Sequence, residues 1–418
     1  MKMFVSDMLK LETEIPLKQV VDFQFQWCLD EHAVLTMTGI LDAGQVKNAV
    51  SRDYKGTKII AEYEESIIFC GFTTETIVHV SGDLYQIEVK AFSATEILDR
   101  DLHNEMFQEV SLTYAQMMDQ MVSRQSGEVI CTVGDRSIGN PLLCYKETIW
   151  QYAKRMTSHF HSHVIPDVKT GRPAFWFGMG WGRKVANHDL FCDQIEIRKS
   201  VQKKQKDRTT YSLTGRQDYQ LCDRISVDND WFTIYQKNVC LERGEIIFHY
   251  LAAREESLHD VSSYYQEDIT GLNLKGTVEK VKDEQVYVRL DLDGKPGTYP
   301  FPWFPETGTC LYAMPEIGAK VELYFMGSDE KEVIAVRCRD TGEADCDEKR
   351  IELPDGAKIS MSTSRLSLEK GSRINLTDHN IEISGAKAIE ISAVKKVKLS
   401  AKIVEVNAAD TISYVTEW

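Results

Sequence analysis

Short runs of alternating apolar and polar residues dominate the first third of the chain. Strict alternation runs from Asp22 to Trp27, and the same pattern returns between Tyr85 and Phe92. Residues 66–72 form a short apolar run that is interrupted by a glycine. Period-two alternation is typical of half-buried strands, so repeated runs of this kind predict β-barrels or β-sandwiches. Two stretches with apolar residues at helical spacing, 114–123 and 147–160, predict helices within this β-rich region.

The pattern changes again between about residues 271 and 338. Alternating runs at 274–281 and 285–290 are joined by a short polar turn, and a second pair lies at 321–325 and 333–336. A compact segment of about five strands is the size of a small OB-type barrel. We therefore predict an OB-fold barrel here.

An apolar-x-apolar unit repeats along the C-terminal segment. The first residues of successive units lie 8, 7, 8, 8 and 7 positions apart. The paired positions are Leu366 and Leu368, Ile374 and Leu376, Ile381 and Ile383, Ile389 and Ile391, Val397 and Leu399, and Val404 and Val406. A coiled coil would space its apolar residues at i and i+3 or i+4, so spacing of i and i+2 predicts a β-solenoid.

One copy of this repeat cannot cover its own strands. Two apolar residues per repeat leave one face and the strand edges without partners. Three copies wound around one another would bury every pair on a common axis, so the repeat predicts a homotrimer. Residues 351–418 hold nine basic and nine acidic side chains, and the negative charge therefore lies upstream.

Composition narrows the functional classes. The 418-residue chain has a net charge of -15, which disfavours general binding of nucleic acid or anionic membranes. Its ten cysteines include no CxxC pair, and its N-terminus lacks the features of a signal peptide. We therefore expect cytoplasmic assembly, no structural zinc site and no cofactor.

Three sequence segments resemble one family of injection-machine proteins. Residues 314–325, followed by Gly327-Ser328-Asp329, resemble its Pro-Glu-x-Gly-x-x-Val-x-Val-x-Phe stretch and Gly-Asp. Residues 69–72 resemble a hub motif, with Cys70 in place of the usual His, and residues 145–156 resemble a Gln-Tyr-Arg-Glu-Ser-Asp-aromatic-x-Phe-x-x-Arg-Leu helix. Their order is similar to that of the VgrG and phage late-control-protein-D family, the central hubs and spikes of contractile injection systems.

The resemblance implies a mainly β protein with four parts. These are an N-terminal hub of tube-like β-barrels with minor helices (1–265), an OB-fold domain (268–340), a linker (341–350) and a C-terminal trimeric β-solenoid needle (351–418). Such a trimer would adapt a sixfold tail tube to a threefold membrane-piercing needle.

The same resemblance implies the partners. The hub would contact a tail tube protein and baseplate proteins, and a small cone-shaped cap protein would cover the needle at Ile412, Tyr414 and Trp418. The particle would assemble in the cytoplasm and be delivered outward on contraction. A phage, a tailocin, a type VI secretion system and an extracellular injection system all remain open, as does an effector cargo.

His159, His161 and His163 form the densest histidine cluster in the sequence. The family uses His-x-His clusters for iron at some spike tips, but this cluster falls in the hub. A polar helix end or a satisfied turn is the preferred interpretation, and metal binding is the weaker alternative.

The sequence favours a structural protein without enzymatic activity. Some related proteins insert a lysozyme before the needle, whereas the eleven residues 340–350 are too few for a catalytic domain with its two carboxylates. We also expect no effector extension after the needle. The alternatives are a trimeric adhesin or receptor-binding fibre, and a solenoid polysaccharide-degrading enzyme.

Overall fold

The chain folds mainly as β-sheet. The structure is a computed structural model that describes residues 2–6, 8–42, 51–200, 208–228, 230–305, 313–339, 347–353 and 355–413. Contacts divide the chain into two units, Met1–Asp340 and Thr341–Trp418. No helix among the described residues is long and apolar enough to cross a membrane.

The first unit begins with seven strands, two of which contain the predicted alternating runs 22–27 and 85–92. They are β1 (Lys2–Phe4), β2 (Leu9–Thr13), β3 (Leu17–Cys28), β4 (Val34–Leu41), β5 (Lys58–Tyr63), β6 (Ser66–Ser81) and β7 (Leu84–Ser93). The predicted strands within β3 and β7 are therefore confirmed. Strand β6 continues through Gly71, where its backbone passes very close to neighbouring β7. A Cβ added at Gly71 would lie only 2.2 Å from the Phe92 carbonyl oxygen. The glycine allows close strand contact instead of ending the strand.

The middle of the hub contains the helices. Its elements are β8 (His103–Phe107), α1 (Tyr114–Val122), β9 (Glu128–Cys131), β10 (Leu142–Glu147), α2 (Ile149–Ser158), β11 (Val164–Pro166) and β12 (Ala174–Phe177). Both predicted helices are confirmed. Their buried side chains belong to a separate apolar core that includes Met117, Met118 and Met121 of α1.

The last part of the hub returns to long strands. They are β13 (Lys184–Val185), β14 (Gln194–Ser200), β15 (Arg208–Gly215), β16 (Arg224–Val227), β17 (Asp230–Glu242) and β18 (Glu245–Ala253), followed by the short α3 (Glu255–Leu258). Strands from both ends of the hub form one 13-stranded sheet, ordered β1-β2-β5-β6-β7-β4-β3-β17-β18-β15-β14, with β16 on β17 and β13 on β16. Antiparallel pairing of β3 with β17 joins the two halves.

The predicted barrel segment forms a five-stranded antiparallel sheet. Its strands are β19 (Asn273–Lys282), β20 (Gln285–Leu290), β21 (Pro300–Pro302), β22 (Lys320–Phe325) and β23 (Val333–Arg339), in the order β21-β20-β19-β22-β23. All four predicted strands are present. The turn between β19 and β20 places Asp283 at a φ of 52°, a left-handed conformation that suits a short hairpin.

The second unit contains a five-stranded antiparallel meander. Its strands are β24 (Lys349–Glu352), β25 (Lys358–Met361), β26 (Arg365–Lys370), β27 (Ser372–Thr377) and β28 (Ile381–Ser384). The first three apolar pairs lie in β26, β27 and β28. The later pairs, from Ile389 to Val406, lie among described residues that form no strand. The predicted strands therefore do not continue beyond β28 in a single chain.

Candidate functional surfaces

The motif-bearing helix α2 begins with two reciprocal hydrogen bonds. The Thr148 hydroxyl accepts from the Gln151 amide at 3.1 Å, and the Gln151 side chain accepts from the Thr148 amide at 3.1 Å. This capping box satisfies backbone donors that would otherwise be unpaired. The indole of Trp150 donates to the Asp30 carbonyl at 3.2 Å, which ties the helix to the end of β3.

Arg155 on α2 is the centre of a buried ion-pair network. It contacts both carboxylate oxygens of Glu147, through Nε at 2.9 Å and Nη2 at 2.8 Å. Its Nη1 donates to Glu330 at 2.6 Å, and Nη2 also donates to the Leu143 carbonyl at 2.7 Å. Burial alone would lower the pKa of Arg155, but hydrogen bonds to Glu147 and the charge of Glu330 outweigh it and raise that pKa. The guanidinium therefore stays charged.

Glu330 belongs to the turn between β22 and β23, close to the sequence segment that resembles the family motif. Asp329 shapes this turn, because its side chain accepts from the Lys331 amide at 3.1 Å. The Gly318 backbone has a φ of 92° immediately before β22, which a glycine adopts without strain. The Arg155–Glu330 contact therefore joins the helical motif segment to the residue that directly follows Gly327-Ser328-Asp329.

A second set of contacts joins the hub strand β8 to the barrel. The Met106 amide donates to Asp293 at 2.9 Å, and the Gln108 side chain donates to the Val288 carbonyl at 3.0 Å. The Met106 side chain is buried with the apolar core of the barrel. The barrel is therefore held against the hub by apolar packing as well as by buried polar contacts.

Glu105 is the charged group in this second set. Arg124 contacts its two carboxylate oxygens at 2.7 and 2.8 Å, and the ammonium of Lys295 from the barrel contacts it as well. Burial would raise the pKa of Glu105, but the hydrogen bonds from Arg124 and Lys295 outweigh burial and lower that pKa. The folded chain therefore stabilises the carboxylate form.

The C-terminal meander gathers most of its apolar strand residues on one face, whose polar members, such as Lys349 opposite Met361, lie at its margins. Strand register aligns one apolar row across all five strands: Ile351, Ile359, Leu368, Ile374 and Ile383. A second row on the same face aligns Met361, Leu366, Leu376 and Ile381. The opposite face carries the row Arg350, Ser360, Ser367, Asn375 and Glu382.

In this sheet the apolar face is exposed to solvent and the central polar residues are buried, whereas a stable single chain would have the opposite arrangement. Ile374 is 37% exposed and Ile381 is 65% exposed, whereas Ser360 and Ser367 on the polar face are 4% and 1% exposed. The apolar face lines a groove of about 520 Å³. A contiguous exposed apolar surface of this kind marks an interaction site.

The predicted axis residues after Ile383 lie on the same C-terminal unit. They are Ile389, Ile391, Val397, Leu399, Val404 and Val406, and all are at least 50% exposed. Ile412, the first of the three residues predicted to contact a tip cap, is 48% exposed. Tyr414 and Trp418 lie outside the described residues.

The three candidate metal histidines have separate hydrogen-bond partners at the end of α2. His159 contacts the Tyr114 hydroxyl and the Tyr264 carbonyl oxygen, each at 3.2 Å. His161 Nδ1 lies 2.7 Å from the Val261 carbonyl oxygen.

His163 uses both ring nitrogens. Nδ1 lies 2.5 Å from Asp30, and Nε2 lies 2.8 Å from the Leu258 carbonyl oxygen. The histidines thus connect the end of α2 to the segment around α3. The ligand atoms of this cluster are not grouped as those of a metal site would be, within the part of the chain that the structure describes.

Comparison with known proteins identifies the class of fold. No protein-family model and no curated protein sequence matches this chain. An Escherichia coli type VI secretion protein, c3393, similar in structure to the bacteriophage T4 tail proteins gp27 and gp5, aligns with a TM-score of 0.56 and 13% identity, over 78% of this chain and 98% of that one. A chain of the Francisella PdpA–VgrG complex aligns with a TM-score of 0.55 and 5% identity, over 88% of this chain and 76% of that one.

These alignments show that the chain has a fold like that of the type VI secretion protein c3393 and of a chain of the PdpA–VgrG complex. The sequence resemblance to that family is therefore confirmed at the level of the fold. The mainly β fold class is confirmed as well.

Proposed function

We propose that this protein is the structural hub and spike of a contractile injection particle or phage-like baseplate. Three copies would join through the apolar face of the C-terminal unit and adapt a sixfold tail tube to a threefold membrane-piercing needle. The observation that carries this proposal is the exposed apolar face, on which one apolar row crosses five strands and a second crosses four. The VgrG-like fold supports the same role.

The apolar face supports a trimer on physical grounds. Each chain leaves its isoleucine and leucine rows in water, where each fully exposed side chain forgoes about 1.5–3 kcal/mol of burial free energy. Three such sheets facing a common axis would cover one another, and the later repeats would gain strand partners from the other copies. That pairing would give strand structure to residues 389–406, which form no strand in one chain.

Each part of the chain would have its own role in such a particle. Residues 1–265 would contact the tail tube and baseplate proteins, 268–340 would form the barrel below them, and 351–418 would form the needle after the linker 341–350. Ile412, Tyr414 and Trp418 would contact a small cone-shaped cap protein at the needle tip. The assembled particle would form in the cytoplasm and act outside it, and the spike itself would be non-enzymatic.

Light scattering after size-exclusion chromatography tests the trimer. We expect a mass near three times the 47.7 kDa of one chain, resistant to dilution. The substitution Ile374→Asp places a charge on the apolar face and should convert the protein to single chains, since three buried carboxylates would meet near the axis.

Arg373→Asp is the matched control. Arg373 is the neighbouring residue in β27 but lies on the polar face, where it pairs with Glu369 across an exposed contact of 2.7 Å. This variant should remain trimeric. A single-chain mass for the unmodified protein, or equal effects of the two substitutions, would contradict the proposed needle.

A further inference from the structure

Three side chains of different chemistry converge on the β17–β18 hairpin of the hub. Cys240, Glu242 and His249 each offer one ligand atom, and these atoms all lie within 4.8 Å of one another. The His249 Nε2 atom lies 3.0 Å from the Glu242 Oε1 atom. Among the residues that the structure describes, this is the sole group of three His, Cys, Asp or Glu side chains gathered so closely.

Strand register places the three side chains on one face. Cys240 lies opposite Ile247, and Glu242 lies opposite Glu245. Residues two apart on a strand share a face, so Cys240 and Glu242 on β17 face the same side as His249 on β18. The two-residue turn between the strands has φ values of 51° at Arg243 and 87° at Gly244. This turn geometry fixes the register and therefore the spacing of the three groups.

The neighbouring strand β15 orients the histidine. Thr214 lies opposite His249 in the β15–β18 register, and its hydroxyl is 3.2 Å from His249 Nδ1. Histidines that bind metals typically have their second ring nitrogen held by an oxygen, which fixes the ring orientation and tautomer. With Nδ1 engaged by Thr214, Nε2 is the nitrogen that faces Glu242.

We propose that Cys240, Glu242 and His249 form a binding site for a divalent transition-metal ion of the zinc class. A thiolate sulfur, an imidazole nitrogen and a carboxylate oxygen are the ligands that zinc accepts in tetrahedral sites. In such a site the ligand atoms lie about 3.3 to 3.6 Å apart, so small side-chain rotations bring these three atoms to binding distance. A water molecule would complete the fourth position.

Ion binding at this site requires loss of the thiol proton. A bound divalent ion would form a bond to the Cys240 sulfur and release the thiol proton to solvent. The negative charge of the Glu242 carboxylate favours a cation at this position, because it attracts positive charge. The ion would cross-link the two strands of the hairpin.

Titration of the full-length chain with Co²⁺ tests the site directly. Cobalt bound to a thiolate gives a sulfur-to-metal absorption band in the near ultraviolet, and we expect this band to saturate at one ion per chain. Cys240→Ser should abolish the band, and His249→Gln should weaken Co²⁺ and Zn²⁺ binding at least about tenfold. Thr214→Val should weaken binding about 10- to 100-fold by releasing the imidazole.

Cys338→Ser is the control for adventitious thiol binding, because Cys338 is exposed. It should leave the band intensity and affinity unchanged. Loss of the band in Cys338→Ser, or its persistence in Cys240→Ser, would overturn the proposal. A readout without any substitution is the melting temperature of the unmodified protein, which saturating Zn²⁺ should raise. No change in that temperature would also overturn it.

Discussion

The buried charges of this protein are concentrated where the hub meets the barrel. Arg155 is 4% exposed and its partner Glu330 is 1% exposed, so neither charge is solvated by water. Each is stable only because the other is present, together with Glu147. The Arg155–Glu330 ion pair thus links the stability of two segments that are far apart in the sequence.

Glu105, which contacts Lys295 of the barrel, makes the stability of the first unit sensitive to acid. Because the pKa of Glu105 is lower in the folded chain than in the unfolded chain, its contribution to stability is fully present above the unfolded value of about 4.3. That contribution is lost as the pH falls through the lower folded pKa. In Glu105→Gln, the urea midpoint should therefore fall less steeply than in the unmodified protein between about pH 5 and pH 3.

Glu96→Gln provides the comparison for this pH experiment. Glu96 pairs with Arg100 at 2.5 Å on an exposed surface, where ion pairs contribute little. Its pH profile should match that of the unmodified protein. Equal slopes for Glu105→Gln and the unmodified chain would show that the contacts with Arg124 and Lys295 do not stabilise the fold.

At the scale of elements, the helix α2 is defined by its first turn. The Thr148 side chain caps the helix, and the Gln151 side chain accepts a hydrogen bond from the Thr148 amide. The apolar face of the helix packs into the core that also contains Met117, Met118 and Met121. A helix of ten residues is marginal by itself in water, so capping and packing together decide that it forms.

Removal of the cap should loosen the first turn of α2. Thr148→Ala eliminates the oxygen that accepts from the Gln151 amide, at a cost of about 1 kcal/mol. Hydrogen exchange of that amide should accelerate about fivefold. Thr148→Ser keeps the hydroxyl and should retain protection within a factor of about two. Similar exchange rates in both variants would mean that packing alone holds the turn.

At the scale of the whole first unit, Arg155 connects the hub to the barrel. Replacement by Met keeps an unbranched apolar stem but removes the guanidinium, which leaves Glu147 and Glu330 buried without their cation. We expect Arg155→Met to destabilise the unit by about 3–5 kcal/mol, measured by urea unfolding followed through the fluorescence of Trp150 on the same helix.

The same substitution at Arg100 separates this effect from a general loss of arginine. Arg100 is half-exposed and pairs with Glu96 within one turn, so Arg100→Met should cost less than about 1 kcal/mol. If both variants lost the same stability, the buried network would contribute no more than a surface pair.

The C-terminal unit contrasts with the first unit in where its apolar residues lie. Buried apolar cores fill the hub and the barrel, whereas the isoleucine and leucine rows of the meander stay exposed. The first unit therefore has its own cores, and the second has a face for a partner. This difference is the physical basis of the proposed trimer.

Local patterns in the sequence were sufficient to predict some of the elements. Period-two alternation gave β3, β7 and the barrel strands, because a strand with one buried face requires that pattern whatever its neighbours are. The apolar pairs of β26 to β28 were predicted for the same reason. The pattern did not predict the extension of β6 through Gly71, since only the neighbouring strand reveals why a glycine is needed there.

The sequence by itself determined the β-rich class, the two main helices, the barrel segment and the apolar repeat. These follow from the periodicity of burial and from local capping, which act over a few neighbouring residues. Only the tertiary structure decided that Arg155 meets Glu330, and that Cys240, Glu242 and His249 share one face with Thr214. These contacts depend on strand register and on segments distant in sequence, which local spacing does not specify.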